Sequence, residues 1–219
     1  MFIANHLTGF GAADSGTGLT ISTNTSEVDI LTLATAAGYN NSVGSTITIT
    51  VNAGVTVSGS STHAMKTGAL HQDTSLTIDN YGSINGYTGA AGSLGANGSV
   101  GGDALYIETD TGGIGTLVVN NFSGASLQGG GGGGGGAGKL NTRTEVKNGA
   151  DTCAPPSYTG SAGAAGGFGA AGAEGTFSGG STLCIINNTG SGGAAGYAMR
   201  KNGRTVTYND SGTTNGTVG

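Results

Sequence analysis

Four stretches of the chain repeat one pattern of apolar and polar positions. An apolar run is followed by Asn, then Gly, then an apolar residue, then Gly again. It reads TITITVNAGVTVSG at Thr46–Gly59, LTIDNYGSING at Leu76–Gly86 and LVVNNFSGASLQGG at Leu117–Gly130. It returns, degenerate, as LCIINNTGSGG at Leu183–Gly193. Alternation in Thr46–Val51 and Leu76–Ile78 predicts strands with one buried face. Asn-x-Gly predicts a tight turn with a positive φ. The marker asparagines Asn52, Asn80, Asn121 and Asn188 stand 28, 41 and 67 residues apart. A growing step argues against a solenoid of fixed period and predicts a small strand layer with projecting arms of increasing length. One helix is predicted in EVDILTLATAAGYN, where Val28, Leu31, Leu33, Ala34 and Ala37 give the spacing, Asp29 or Ser26 the cap and Gly38 the stop.

The arms are written in a second pattern, glycine at every third position. It runs from Gly86 to Gly101, from Gly129 to Gly138, from Gly160 to Gly175 and from Gly190 to Gly196; the second stretch contains eight consecutive glycines, Gly129–Gly136. A three-residue period means an extended helix of three residues per turn, with Gly where another backbone comes close. Collagen shares the period but needs abundant Pro, and this chain has two, neither in a glycine stretch. The free N–H groups can then pair with neighbouring segments, which predicts a polyglycine-II sandwich. At ~3.1 Å per residue the first arm would span on the order of 50 Å. The expected fold is mostly β and irregular: a small strand layer, a projecting polyglycine-II sandwich and one short helix. Its parts are an N-terminal attachment segment at 1–45, a β module at 46–85 and the glycine-rich sandwich at 86–219.

Composition supports a fold held by its backbone. Of 219 residues 48 are Gly, 5% are aromatic and 9% charged, so neither an ordinary apolar core nor a charge-rich disordered chain fits. No stretch approaches the ~20 apolar residues of a membrane helix, and the start, MFIANHLTGF, lacks the basic and apolar regions of a secretory signal. Residues 1–138 hold one base and eight acids, a balance of −7; residues 139–219 hold six bases and four acids, +2, which gives the net −5. The bases form two groups, Lys139, Arg143, Lys147 and Arg200, Lys201, Arg204. Without aromatic platforms beside them they predict no nucleic-acid binding.

Catalytic and metal chemistry is not expected. GGGGAGKL at Gly133–Leu140 imitates a phosphate loop but places Leu140 where a magnesium-binding hydroxyl belongs. His6, His63 and His71 lack ligand spacing and read as polar surface residues. Glu108 and Asp110 read as loop acids. Cys153 and Cys184 allow either one loop-to-strand disulfide or two free thiols. No cofactor is implied. Between the second and third arms lies Lys139–Thr159, the least glycine-rich part of the C-terminal half, with both prolines. It is predicted to be an exposed recognition loop, with Lys139, Asn141, Arg143, Glu145, Lys147, Asn148, Pro155, Pro156 and Tyr158 as candidate contacts. Tyr197, Arg200, Lys201 and Arg204 form a second candidate group.

The series TSEVDILTLATAAGYN, ITITVNAGVTVSGSS, LTIDNYGSINGYTGAAG, GGDAL, LVVNNFSGASLQGGGGGGGGAG and the ending GYAMRKNGRTVTYNDSGTTNGTVG resembles glycine-rich tail-tip proteins and central tail-fibre C-termini of tailed bacteriophages. The glycine-rich arms are also similar to the distal tail-fibre adhesins of T-even-like phages. The resemblance implies a polyglycine-II sandwich whose tip loops read a bacterial outer-membrane protein or surface polysaccharide. It further implies a virion protein of the tail tip, assembled in the host cytoplasm beside other tail proteins, as a trimer or as a cap on a trimeric fibre. The rival expectation is a structural virion protein, a head decoration or fibre without a host receptor.

Overall fold

The computed structural model describes residues 16–108, 115–137, 139–140, 159–178 and 187–219. It divides into two units. The first comprises Met1–Tyr87, Gly102–Gly130 and Gly196–Gly219, and the second Thr88–Gly101 and Gly131–Ala195. Among the described residues the fold is mostly β with one short helix, as expected, and the extended sheets are parallel.

In the first unit each circuit of the chain lays down three short strands, one on each of three sheets. The first circuit gives β1 (Thr17–Ile21), β2 (Thr25–Ser26) and β3 (Val28–Asp29), followed by α1 (Ile30–Ala36). The second gives β4 (Thr46–Val51), β5 (Thr56–Ser58) and β6 (His63–Lys66), and the third β7 (Ser75–Asn80), β8 (Ser83–Asn85) and β9 (Asp103–Tyr106). The fourth begins with β10 (Thr116–Asn121) and β11 (Ser126–Gln128). Four strands of the second unit intervene: β12 (Lys139–Leu140), β13 (Thr159–Ser161), β14 (Thr176–Ser178) and β15 (Asn187–Asn188). The circuit then closes with β16 (Met199–Arg200). The fifth gives β17 (Thr207–Asp210) and β18 (Thr213–Asn215), and Val218 bridges to Met199. The sheet orders are β1-β4-β7-β10-β17, β18-β11-β8-β5-β2 and β16-β9-β6-β3. Strand succession through three parallel sheets is a solenoid, not the small strand layer expected.

The growing step has a simple cause. Registers Thr17↔Ile47, Thr46↔Ser75, Thr116↔Ser75 and Val118↔Thr207 give steps of 30, 29, 41 and 89 residues. Taking the 14 residues of Thr88–Gly101 from the third step leaves 27, and taking the 65 of Gly131–Ala195 from the fourth leaves 24. The solenoid is regular, and two insertions hide its period.

Alternation places every second strand residue inside. Ile47, Ile49, Leu76, Ile78, Leu117 and Val119 line the core from one sheet, Val57, Ile84 and Leu127 from the second, and Met65, Leu105 and Met199 from the third, all 4% exposed or less. Each such side chain contributes about 1.5–3 kcal/mol by leaving water. Where the core reaches the corner, a polar ladder replaces it. Asn80 Nδ2 donates to Asn121 Oδ1 and Asn121 Nδ2 to Asp210 Oδ1, both at 2.9 Å. The chain of donors ends on Asp210, a residue that only accepts when ionised. Asn52 is one place out of register with this ladder, since Val51 pairs with Asn80, and Asn188 belongs to the second unit. The fourth repeat is therefore Thr207–Asn215, not Leu183–Gly193. Tyr81 and Phe122, the next outward residues, stack at 4.2 Å.

Helix α1 is shorter than its pattern because Val28 and Asp29 are taken by β3, pairing with Met65 and Lys66. Asp29 caps it, its carboxylate accepting from Thr32 N at 3.1 Å; Ser26 lies in β2. Ile30 and Ala34 bury its inner face.

Among its described residues the second unit has almost no apolar interior. Its centre is Gly131–Ala137, surrounded by five other passages of the chain. The N–H groups of Gly89, Gly92 and Gly95 donate to Gly131, Gly134 and Ala137; those of Gly163 and Gly166 donate to Gly135 and Gly132; those of Gly190 and Gly193 donate to Gly136 and Gly133. In return Gly133 and Gly136 donate to Ser99 and Ala96, and Gly132 and Gly135 to Ala170 and Ala173. All these bonds are 2.7–3.0 Å long. The faces repeat every three residues. A Cβ on Gly131 or Gly134 would strike the carbonyls of Gly166 and Gly163; on Gly132 or Gly135, those of Gly193 and Gly190; on Gly133 or Gly136, those of Ala90 and Ser93. A segment enclosed on all three faces can carry no side chain at all, which explains the unbroken glycine run. Peripheral passages need glycine only once in three.

The first arm does not run straight for its whole length. Ala96 N donates to Ser93 O at 2.8 Å, with Gly95 at φ +72°, and the chain folds back so that Ser99 N reaches Ala90 O. The third arm does the same at Gly167–Ala170, with Gly169 at φ +69°. These are type II turns, which require the left-handed conformation that glycine supplies. Interruption of the extended run by a turn corrects the expected 50 Å span and makes two hairpins of the arms.

Candidate functional site

The hydrogen-bond register of the second unit decides which turns share an end. Gly95 donates to Ala137, Gly136 to Ala96, Gly163 to Gly135, Gly190 to Gly136 and Gly175 to Gly190. The turn Ser93–Ala96, the exit from the central glycine run and the glycines next to β13, β14 and β15 therefore gather at one end. Two antiparallel pairs belong to this region: β12 with β15, Lys139 opposite Asn188, and β13 with β14, Thr159 opposite Ser178. The opposite end holds the Gly167–Ala170 turn, next to Gly132.

The first candidate loop starts from β12 and returns through β13. Lys139 is in β12; Asn141, Arg143, Glu145, Lys147, Asn148, Pro155, Pro156 and Tyr158 lie outside the described residues, as do Cys153 and Cys184. Sequence reasoning missed an exposed apolar residue at this end of the unit. Leu94, 66% exposed, occupies the Ser93–Ala96 turn, and beside it Asn97 Oδ1 accepts from Ser191 N at 2.9 Å. A Leu followed by Gly within SLGA was a turn signal, but the three-residue phase runs through it unbroken and masked it.

The second candidate group lies in the first unit and is already engaged. Arg200 makes a two-pronged contact with Asp103, Nε to Oδ2 at 2.5 Å and Nη2 to Oδ1 at 3.0 Å, and its guanidinium sits 4.0 Å over the Tyr197 ring. The bond to Asp103 is the main cause holding Arg200 above its ordinary pKa. Lys201 N donates to Gly219 O, and Arg204 N to Lys201 O across a turn formed by Asn202 and Gly203 at positive φ. The structure brings these four residues together.

A family model described as "Phage tail fibre adhesin Gp38" matches residues 17–219. The chain belongs to this phage tail fibre adhesin family. It is a tail-tip receptor-binding adhesin and a component of the phage tail fibre. A solved structure entitled "Crystal structure of the gp37-gp38 adhesin tip complex of the bacteriophage S16 long tail fiber" resembles it over 91% of this chain and 80% of that chain, with a TM-score of 0.55 and 19% identity, which is a likeness of fold. No curated protein sequence matches.

Other polar groups of the adhesin serve the scaffold. His63 opens β6 and stacks on Tyr106 at 5.1 Å, half-buried and not the surface residue expected; burial, then the nearby Lys66 charge, lower its pKa. Lys66 Nζ lies 3.0 Å from Asp29, whose hydrogen bond raises the lysine pKa. The His71 Nδ1 accepts from the Asp73 backbone N–H at 3.2 Å, with the Asp73 carboxylate 3.8 Å away, and the His71 backbone N–H donates to Asn41 Oδ1. Among the described residues no group of three His, Cys, Asp or Glu could hold a metal ion.

Proposed function

We propose that the adhesin reads the host surface at one end of its glycine-rich unit, through the Lys139–Tyr158 loop assisted by the Ser93–Ala96 turn. The observation that carries this reading is the register that gathers the turn, the exit from the glycine run and the β13–β15 glycines at one end. The unit is a polyglycine-II sandwich, a reading supported by donors and acceptors recurring every third residue between neighbouring passages. Such a body is stiff, so its loops are held ready and lose little freedom on binding. The receptor is an outer-membrane protein or a surface polysaccharide. Lys139, Asn141, Arg143, Glu145, Lys147 and Asn148 supply polar contacts, Tyr158 an aromatic anchor, and Pro155-Pro156 stiffness.

The adhesin works by binding alone, without cofactor or chemistry. Lys139–Leu140 is strand β12, whereas a phosphate loop leads directly into the helix that holds its anion. Residues 1–45 attach the adhesin to the fibre, as a cap on a trimeric partner; the S16 relative, solved as a gp37-gp38 complex, supports that placement in the virion. Because β1–β3 and α1 share the solenoid core, attachment is tested by removing residues 1–16 alone, which should leave a folded chain that fails to join the particle. Recognition is tested by changing Arg143, Lys147 and Tyr158 to Ser together. Host adsorption should fall while the chain stays in the particle; unchanged adsorption would move the site elsewhere.

A further inference from the structure

We propose that Asp103 is a positioning residue, whose carboxylate fastens the two points where the chain re-enters the solenoid after its glycine-rich insertions. Asp103 is the second residue after the first insertion. Tyr197 and Arg200 are the second and fifth after the other. The Asp103 carboxylate is 8% exposed and takes three bonds from the later segment: Arg200 Nε, Arg200 Nη2 and Tyr197 N, the last at 2.8 Å. Arg200 closes over the Tyr197 ring, so the ion pair is roofed by an aromatic face.

Immediately beside this group the four passages of the chain are laced together. Gly102 N donates to Tyr87 O, Gly130 N to Gly102 O and Gly196 N to Gly130 O, at 2.7–2.8 Å. Those bonds fix spacing but are single and uncharged. A planar guanidinium held by two parallel bonds also fixes direction. By contrast the Asp29–Lys66 pair makes one contact, and its carboxylate is 28% exposed against 8% for Asp103, so screening by water leaves it less influence. The Asp103 arrangement costs desolvation of two charges, and that cost has no evident return in core packing. It is explained if the insertions keep their order, and so present their recognition loops, only while both re-entry points are held together. This inference rests on the reading that the loops of the second unit bind the receptor.

The test is hydrogen exchange on the purified full chain and adsorption of particles that carry it, for Asp103→Asn, Arg200→Lys and the control Asp73→Asn. Asp73 is 73% exposed and removes the same charge from an open surface. Asp103→Asn should raise exchange in 88–101 and 131–137 about tenfold or more, because it leaves Arg200 unpaired, with β4, β7 and β10 unchanged and adsorption reduced several-fold. Arg200→Lys, which keeps the charge but loses the fork, should fall between Asp103→Asn and the native chain. The control should match the native chain. Unchanged exchange in both variants overturns the proposal, and so does exchange rising equally in the solenoid strands. Raised exchange in the insertions with full adsorption upholds the fastening and overturns the recognition reading instead.

Discussion

The two units solve the same problem with opposite means. The solenoid sets aside alternate positions for Ile, Val, Leu and Met, excludes water from them, and carries its polar groups in ladders such as Asn80–Asn121–Asp210. The glycine-rich unit gives up side chains and packs carbonyl against α-carbon, with backbone bonds at every third residue around Gly131–Ala137. Ordering glycine is costly in entropy, so this arrangement depends on every close approach being kept. A solenoid tolerates a shortened core side chain at a finite cost. A bundle of bare backbones has no room in which to yield. The difference teaches that low hydrophobicity and high order are compatible when chain density replaces apolar burial.

The contrast can be broken most sharply at the centre of the glycine run. Gly134→Val would drive a branched side chain into the Gly163 carbonyl, where both atoms belong to backbone. The cost should exceed the ~1–3 kcal/mol of ordinary overpacking, and exchange protection should vanish across the second unit while the solenoid strands keep theirs. Gly167→Ala, where nothing lies within 4 Å, should leave the unit folded. Equal tolerance at both sites would refute the close-packed account. Next in size comes the solenoid ladder. Asn121→Ala leaves Asn80 and Asp210 short of a partner in a buried row and should cost about 1–3 kcal/mol, read as a fall in thermal midpoint with the second unit's exchange pattern unchanged.

A smaller effect is expected from acid. Burial pushes the Asp210 pKa up, but bonds from Thr214, Asn121, the Gly212 N–H and Tyr208 outweigh it and hold it below the ordinary aspartate value. A depressed folded pKa adds stability above the unfolded value of ~3.9 and loses it as pH falls through the lower folded value. Stability measured against pH should therefore decline in that acid range, and Asp210→Asn should flatten the decline. The smallest effect on stability belongs to Leu94→Ser. An exposed turn residue should change stability by no more than about 0.5 kcal/mol, yet adsorption should drop. A loss of stability without loss of adsorption would make Leu94 a scaffold residue.

Much of this was legible in the residues. Alternation in Thr46–Val51 marked a strand, Asp29 marked a helix cap, and the glycine phase marked close backbone contacts, because each is a local pattern with a local cause. The solenoid was not legible, since its period is carried by registers such as Asn80↔Asn121 that an insertion of any length can separate. The hairpin at Leu94 was hidden because a turn glycine and a packing glycine fall in the same phase. Asp103 and Arg200 gave no signal of their partnership, being 97 residues apart.

The central claim is that recognition happens at one end of the glycine-rich unit. Hydrogen exchange of the intact adhesin, alone and saturated with outer-membrane vesicles of its host, tests this directly because the two hairpin turns lie at opposite ends. Slowed exchange is expected at 93–97 and 139–159, with 167–170 and the solenoid strands unaffected. Protection confined to 167–170, or to a face of the solenoid, would contradict it.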